Sequence, residues 1–316
     1  MELIELGGLV VALVALLAID ARFFAHGREA TFRESVAWSL GWLALGLSVT
    51  VAVFAINGSG DGVNYLTVYL IERSLSLDNL FVFILLFAYF GVPHAYRAGL
   101  LFWGIIAALA LRGLAILGGT ALIDRFHVVL YALGVLLLVL AYRVYRGMDE
   151  DVDPDRNVVV RAVRRFFPVT DGFREHRWFA REDGRLHVTP LLLCLTAIVA
   201  ADLAFAVDSI PAAFAITQDP LIIWAGNVFA LLGLRSLFVL VEGLIRRFRY
   251  LDETIAVVLG LVALKILVEP LVKIGPLPSL GLVAAAFAAG IGASLRGDVR
   301  DPEGAAERKS GTHSVP

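Results

Sequence analysis

The sequence predicts an all-α integral membrane protein with about nine transmembrane helices. Of its 316 residues, 59% are hydrophobic and 18% are charged, and the mean hydropathy is +0.80. Soluble domains contain about 45–50% apolar and about 25% charged residues. Many solidly apolar runs reach the ~20 residues that a spanning helix needs, whereas barrel strands would alternate apolar and polar residues over ~10 positions. The runs therefore predict membrane helices rather than barrel strands.

The apolar runs define nine predicted spans. In chain order, their bounds are 3–22, 38–56, 63–90, 98–122, 127–147, 189–217, 221–244, 253–272 and 278–296. The first run begins with acidic residues, whereas a cleaved signal peptide begins with positive charge, so we expect this helix to be retained. Residues 1–296 are thus predicted to form one polytopic transmembrane domain.

Lys and Arg residues are distributed unequally between the two sides of this domain. Twenty-one of the 27 fall in alternate connections or the C-terminal tail, two fall in the opposite connections, and four lie inside predicted helices. Because positively charged connections stay in the cytoplasm, we expect a multi-pass protein of the plasma membrane with its N-terminus outside and its C-terminus in the cytoplasm. Residues 148–188 are predicted to form a solvated cytoplasmic loop with a short amphipathic helix, and 297–316 a disordered cytoplasmic tail.

The remaining composition narrows the class of function. The net charge of −2 gives no indication of nucleic-acid binding, and a single cysteine, Cys194, excludes an internal disulfide and a thiolate-rich metal site. The chain shows no histidine metal motif and no activated nucleophile, so we expect neither an enzyme nor an organic cofactor. A retinal-type pigment built on Lys265 is a minor alternative. The expected partner is the lipid bilayer, and the sequence assigns no protein partner.

Two similar acidic motifs interrupt the apolar runs. The stretch "ERSLSLDN" in the third span matches "DLAFAVDS" in the sixth, and in both the two acids are six residues apart. A small polar residue follows each second acid. The matched positions are Glu72, Asp78 and Asn79 in the first copy and Asp202, Asp208 and Ser209 in the second.

The match extends over a three-helix unit in each half of the chain. "LALRGLAIL" at 109–117 resembles "LGLRSLFVL" at 232–240, which places Arg112 opposite Arg235. The units cover about 63–147 and about 189–272. Because each unit contains an odd number of spans, the two copies enter the membrane from opposite sides. The sequence therefore predicts an inverted repeat, a recurrent transporter architecture.

Charged residues at this depth need an explanation, because a charge at the bilayer centre costs roughly 2.5–3.5 kcal/mol on insertion scales. One interpretation is structural: Glu72 pairs with Arg112 and Asp202 pairs with Arg235, with Lys265 as a further charge partner. The other is a cation site between the repeats. Carboxylate, amide and hydroxyl oxygens favour hard divalent cations such as Mn²⁺, Mg²⁺ or Ca²⁺. Buried acids also relay protons, which could exchange with the metal on the same carboxylates.

The spacing of the acids constrains this site. Six residues turn an ideal helix by about 600°, so Glu72 and Asp78 lie about 120° apart and ~9 Å along the axis. Either the two acids serve two layers, or the helix is interrupted near them. In the sixth span Pro211 removes a backbone donor and frees the carbonyl of Val207, so we expect a break there.

The same segments resemble a known family. "ERSLSLDNLFVF", "AFAVDSIPAAFAIT" and "GNVFALLGLRSLFVLVEG" are similar to the signature segments of the TerC/Alx family of bacterial membrane proteins, which is named for tellurium resistance and placed in the LysE transporter group. Members similar to this chain are linked to manganese export. The resemblance implies a metal site formed by Glu72, Asp78, Asn79, Asp202, Asp208 and Ser209. Asp20 and Asn227 are additional candidates, with Arg112, Arg235 and Lys265 as charge partners.

Two functions follow from these expectations. The first is export of a divalent cation, with Mn²⁺ favoured as substrate and protons as the exchanged ion. The alternative is a metal-binding membrane hub for resistance to tellurite or envelope stress, without transport. Flux through the purified protein would discriminate between the two.

Overall fold

The computed structural model describes residues 3–24, 31–118, 168–174, 177–182, 184–245, 250–268, 272 and 276–300, together with some positions between 131 and 146. The side chains of Asp78 and Asp208 lie outside the described residues. So do residues 148–167, which begin the predicted cytoplasmic loop, and 301–316, which make up most of the predicted tail.

Helices account for nearly all of the described chain. They are α1 (Leu3–Phe24), α2 (Phe32–Asn57), α3 (Ser59–Tyr89), α4 (His94–Gly118), α5 (Pro190–Phe214), α6 (Pro220–Leu231), α7 (Leu234–Ile245), α8 (Leu251–Val268) and α9 (Pro276–Arg300). Every predicted span overlaps helical residues, which for the fifth span are positions between Tyr131 and Tyr145. Helix α9 continues past residue 297, where the tail was predicted to begin.

Four helical segments of the described residues are long and apolar enough to cross a membrane. They are Phe32–Asn57, His94–Leu117, Pro190–Phe214 and Pro220–Glu242. Together with the hydropathy of the whole chain, these segments describe a multi-pass helical membrane protein. The inverted relation between the two repeats stays a prediction.

Local sequence sets where several of these helices begin. The hydroxyl of Thr31 accepts a hydrogen bond from the backbone N–H of Glu34, and the Glu34 carboxylate accepts one from the N–H of Thr31. This reciprocal capping box satisfies two free donors at the start of α2. Asp219 caps α6 through the N–H groups of the first turn, and Pro220 occupies the first helical position, where its missing N–H costs nothing.

The position of the helix break differs from the prediction. Helix α5 continues through Pro211 to Phe214, so the predicted break near Pro211 is wrong. Proline lies in the last turn of that helix, where few hydrogen bonds depend on it. The break falls instead inside the predicted span 221–244, at Leu232 and Gly233. Gly233 has φ +83°, a left-handed conformation that favours glycine.

Part of the predicted cytoplasmic loop forms a β-hairpin. Strands β1 (Phe179–Glu182) and β2 (Arg185–Val188) pair antiparallel, with Phe179 opposite Val188. Gly184 in the turn has φ +75°. The Asp-Gly dipeptide at 183–184 is a strong hairpin signal, which the sequence analysis overlooked. The predicted amphipathic helix stays a prediction, because the basic stretch at 161–167 lies outside the described residues.

Helix α3 lies at the centre of the bundle. It packs against α2, α5, α6, α7, α8 and α9. Phe87 contacts Phe238 of α7 edge to face, with ring centroids 5.3 Å apart. A Cβ on Gly46 of α2 would meet the Tyr69 ring at 2.4 Å, so glycine permits this close approach of α2 and α3. The charged motif of the third span is therefore carried by a helix that contacts six others among the described residues.

Candidate functional site: a buried ionic cluster

Arg112 of α4 holds one acid from each of the two matched motifs. Its Nη1 donates to Oε2 of Glu72 at 2.6 Å. Its Nε and Nη2 donate to the two carboxylate oxygens of Asp202 at 3.1 and 3.0 Å, a bidentate arrangement. The guanidinium geometry matches two parallel acceptors, which makes this one of the stronger types of ion pair. Helices α3, α4 and α5 are thus joined at one point.

Neutral polar side chains complete this group. Nη1 of Arg112 also donates to Oδ1 of Asn227 at 2.7 Å and to the Ser209 hydroxyl at 3.3 Å. The Asn79 amide donates to Oδ1 of Asp202 at 3.4 Å. All members of the group are at most 2% exposed. We call these six residues the central cluster: Glu72, Asn79, Arg112, Asp202, Ser209 and Asn227.

The central cluster has an excess of acceptor oxygen. With both carboxylates ionised, the two acids outweigh the single guanidinium by one negative charge. Oε1 of Glu72 and Oδ1 of Asn79 are buried and have no hydrogen-bond partner among the described residues. Buried acceptors of this kind normally contact a donor, an ordered water or an ion. The oxygen atoms of the cluster are therefore chemically suited to a cation.

Helical spacing explains why these particular side chains meet. Glu72 and Asn79 are seven residues apart in α3, and Asp202 and Ser209 are seven apart in α5. Seven residues return an ideal helix to within about 20° of the same direction. Because α3 is unbroken from Ser59 to Tyr89, the acid and the amide lie on one face. The two acids of each motif are six residues apart, which is the spacing that the sequence analysis used. The side chains that meet in the cluster are seven residues apart.

A second ion pair lies apart from the central cluster. Nη1 of Arg235 in α7 donates to Oδ2 of Asp20 in α1 at 2.8 Å, and both residues are about 5% exposed or less. The Arg235 guanidinium also lies 5.4 Å from the centroid of the Phe102 ring, a cation–π contact. The predicted pairing of Asp202 with Arg235 is wrong, because Arg112 takes Asp202 and a distant acid in the first helix takes Arg235.

The structure separates the predicted site residues into three groups. Glu72, Asn79, Asp202, Ser209, Asn227 and Arg112 lie together in the central cluster, and the predicted pairing of Glu72 with Arg112 is confirmed. Asp20 and Arg235 form the separate pair, and Lys265 lies in the last turn of α8. The side chains of Asp78 and Asp208 lie outside the described residues. Among the described side chains, no group of three His, Cys, Asp or Glu residues could hold a metal ion.

Arg73 makes a contact that the sequence analysis did not predict. Arg73 follows Glu72 but points away from the central cluster, as the ~100° step of a helix requires. Its Nη1 donates to the carbonyls of Ala230 and Leu232 at 2.9 and 3.0 Å. These carbonyls border the break between α6 and α7. The glycine inside "LLGLRS" was the signal in the sequence that indicated an interruption there.

Comparison with known proteins places the chain in a family of integral membrane proteins. Residues 57–297 match the profile of the integral membrane protein TerC family. The chain belongs to the TerC family. The matched segment includes all of α3 to α8 and therefore the complete central cluster.

Relatives extend the TerC similarity over almost the whole chain. An uncharacterized membrane protein of Myxococcus xanthus is 38% identical over 91% of this chain and 91% of its own length. Alx of Escherichia coli, named as a candidate membrane-bound redox modulator, is 37% identical over 88% of this chain and 89% of its own. The chloroplast thylakoid membrane protein TERC of Arabidopsis thaliana is 37% identical over 85% of this chain and 71% of its own length. No solved structure was found to match.

Proposed function

We propose that this TerC-family chain exports a divalent cation, with Mn²⁺ as the favoured substrate and protons as the exchanged ion. The central cluster is the observation that supports the proposal. It joins two acids, two amides and a hydroxyl from three helices at one buried point, around an arginine from a fourth, and two of its acceptor oxygens have no partner among the described residues. The names of the relatives mention neither manganese nor transport, so this function rests on the cluster and on the family resemblance.

The central cluster supplies hard ligands. Carboxylate, amide and hydroxyl oxygens suit Mn²⁺, Mg²⁺ and Ca²⁺ rather than soft metals, which prefer thiolate or thioether. Glu72 and Asp202 are the charged ligands, and Asn79, Ser209 and Asn227 are the neutral ones. Asp78 and Asp208 belong to the same motifs, and their six-residue spacing directs them about 120° away. We assign to these two acids the protons that Mn²⁺ displaces when it enters the site.

Arg112 gives the transport step a physical basis. A dication that binds between Glu72 and Asp202 must take the place of the guanidinium, because the two cannot share the same oxygens without strong repulsion. When the metal leaves, Arg112 returns and neutralises the acids, so the empty site is not left with two unpaired buried charges. In the empty site Arg112 thus takes the place of the cation, and protons neutralise the remaining carboxylates. The outward direction of transport rests on the family resemblance.

Metal flux through purified protein tests the proposal. Proteoliposomes containing a metal-quenched dye should take up Mn²⁺ with the wild-type protein and with Ser74→Ala, a control whose hydroxyl bonds only to the Leu70 carbonyl within α3. Glu72→Gln and Asp202→Asn should each reduce the rate to that of protein-free vesicles. The proposal is overturned if the wild type gives no flux, or if both variants transport as the wild type does.

The second candidate is a membrane hub without transport. The saturation of Arg112 favours it, since five hydrogen bonds to four side chains would also serve a static scaffold. A hub predicts that metal binds to the protein but never crosses the vesicle membrane. Binding without flux, from protein inserted in both orientations, would therefore select this function over export.

A further inference from the structure

The break between α6 and α7 is held by a charge from another helix. Leu232 is extended, with φ −60° and ψ 134°, and Gly233 has φ +83°. A helix interrupted inside a membrane leaves carbonyl groups that must find donors within the protein. Nη1 of Arg73 donates hydrogen bonds to the carbonyl oxygens of Ala230, at 2.9 Å, and Leu232, at 3.0 Å.

The position of Arg73 is that of a bound cation. The C-terminus of α6 carries the negative end of the helix dipole, and interrupted transporter helices bind cations with such ends and with unwound carbonyls. Within the described part of the chain, the hydrogen bonds of Arg73 go to these two carbonyls alone. The preceding residue, Glu72, points elsewhere and holds Arg112. Of these two adjacent residues of α3, Arg73 thus contacts the break and Glu72 contacts the central cluster.

The other half of the chain provides an internal comparison. In the matched motifs, Leu203 corresponds to Arg73 and Ala110 corresponds to Gly233. Around Ala110, helix α4 runs unbroken from His94 to Gly118. The arginine and the glycine are therefore present together where the helix is broken, and both are replaced where it is continuous. General packing of α3 against its neighbours does not account for this joint difference.

We infer that Arg73 is a positioning residue that holds the α6–α7 break in its shape by acting as a tethered cation. The break lies between Asn227, which contacts Arg112, and Arg235, which binds Asp20. Its shape therefore sets how α6 meets the central cluster while α7 stays attached to α1. The consequence for flux rests on the proposed function, whereas the structural part does not.

Hydrogen–deuterium exchange of the purified protein tests the structural part directly. The amide of Leu232 donates to the Val228 carbonyl on one side of the break, and the amide of Leu237 donates to the Gly233 carbonyl on the other. Peptides covering 228–237 therefore report loss of order at the break. Arg73→Ala should raise exchange there about tenfold. Ser74→Ala, which alters the next residue of α3, should exchange as the wild type does.

Chemical complementation separates a bound cation from ordinary packing. Guanidinium chloride at a concentration far below denaturation should restore slow exchange to Arg73→Ala, because the free ion carries the same donors and charge as the missing side chain. Urea at equal concentration has a similar shape and no charge and should not restore it, nor should sodium chloride. Mn²⁺ flux, if present in the wild type, should fall in Arg73→Ala and recover with guanidinium only.

The two outcomes that overturn the inference are distinct from failure of the transport proposal. Unchanged exchange at 228–237 in Arg73→Ala rejects the inference that Arg73 holds the break, as does equal recovery with urea and guanidinium. If Arg73→Ala does not fold, Arg73→Lys decides: an ammonium ion that reaches only one carbonyl should give intermediate exchange, and wild-type exchange rejects the inference. Absence of flux in the wild type rejects export and leaves these exchange results intact.

Discussion

Replacement of Arg112 by methionine should destabilise the protein more than almost any other single change. Methionine fills much of the same volume but removes five hydrogen bonds and the only positive charge of the central cluster. Glu72 and Asp202, each 2% exposed, would then face each other without a counter-ion. Breaking a buried ion pair on one side costs about 3–5 kcal/mol, so the free energy of unfolding should fall by that amount.

Equilibrium unfolding in mixed detergent and SDS micelles, followed by far-ultraviolet circular dichroism, measures this change. The matched control is the triple variant Arg112→Met, Glu72→Gln, Asp202→Asn, in which the charges are removed together. Replacing a whole buried ionic group by neutral residues is often close to neutral in energy. The triple variant should therefore recover most of the stability that the single variant loses.

Two results would refute this reasoning. If Arg112→Met lowers the free energy of unfolding by less than about 1 kcal/mol, the acids are neutralised by something other than the arginine. If the triple variant is as unstable as the single one, the loss comes from the shape of the arginine side chain and not from unpaired charge.

Three further changes should have smaller or more local effects on the free energy of unfolding. Gly290→Ala should cost about 1–3 kcal/mol, because the new Cβ would come within 1.8 Å of the Thr254 hydroxyl where α9 packs on α8. Asp20→Asn should cost about 3 kcal/mol by leaving the Arg235 charge without its carboxylate. Thr31→Ala should cost about 1 kcal/mol by removing the cap of α2. The same micelle titration measures all three.

Each of these predictions has its own control. Gly292→Ala meets no atom within 4 Å and should be neutral or slightly stabilising, so equal losses at 290 and 292 would contradict the clash. Adding Arg235→Gln to Asp20→Asn should restore stability, and a larger loss in the double variant would refute the pairing. Thr31→Ser keeps the capping oxygen and should behave as the wild type. A loss equal to that of alanine would rule out the cap as the cause.

The sequence predicted the helical spans because their physical cause is local. Twenty apolar residues in a row have few alternatives to a membrane helix, and each predicted span overlaps helical residues. The hairpin at 179–188 was missed because the composition of the loop outweighed a short Asp-Gly signal. The break was assigned to Pro211, although a proline in a last turn disturbs little. Position 233 requires glycine, because its φ is +83° and Trp42 lies 2.6 Å from where a Cβ would be, a tertiary contact that the sequence does not reveal.

The charge pairs show the limit of prediction more clearly. Pairing Glu72 with Arg112 followed from their similar predicted depth, and it was right. The same argument gave Asp202 to Arg235, and it was wrong, because one guanidinium can bind two acids and Asp20 lies 215 positions away from its partner along the chain. Depth in the membrane can be read from a sequence, whereas the direction in which a side chain points across a helix interface depends on tertiary contacts.

Binding of Mn²⁺ to the purified protein tests the central claim most directly. Electron paramagnetic resonance of titrated Mn²⁺ distinguishes free from bound ion. We predict a saturable site in the wild type that is lost in the double variant Glu72→Gln, Asp202→Asn and retained in Ser74→Ala. Saturable binding of equal affinity in the double variant would contradict the assignment of the central cluster as the place where the cation binds.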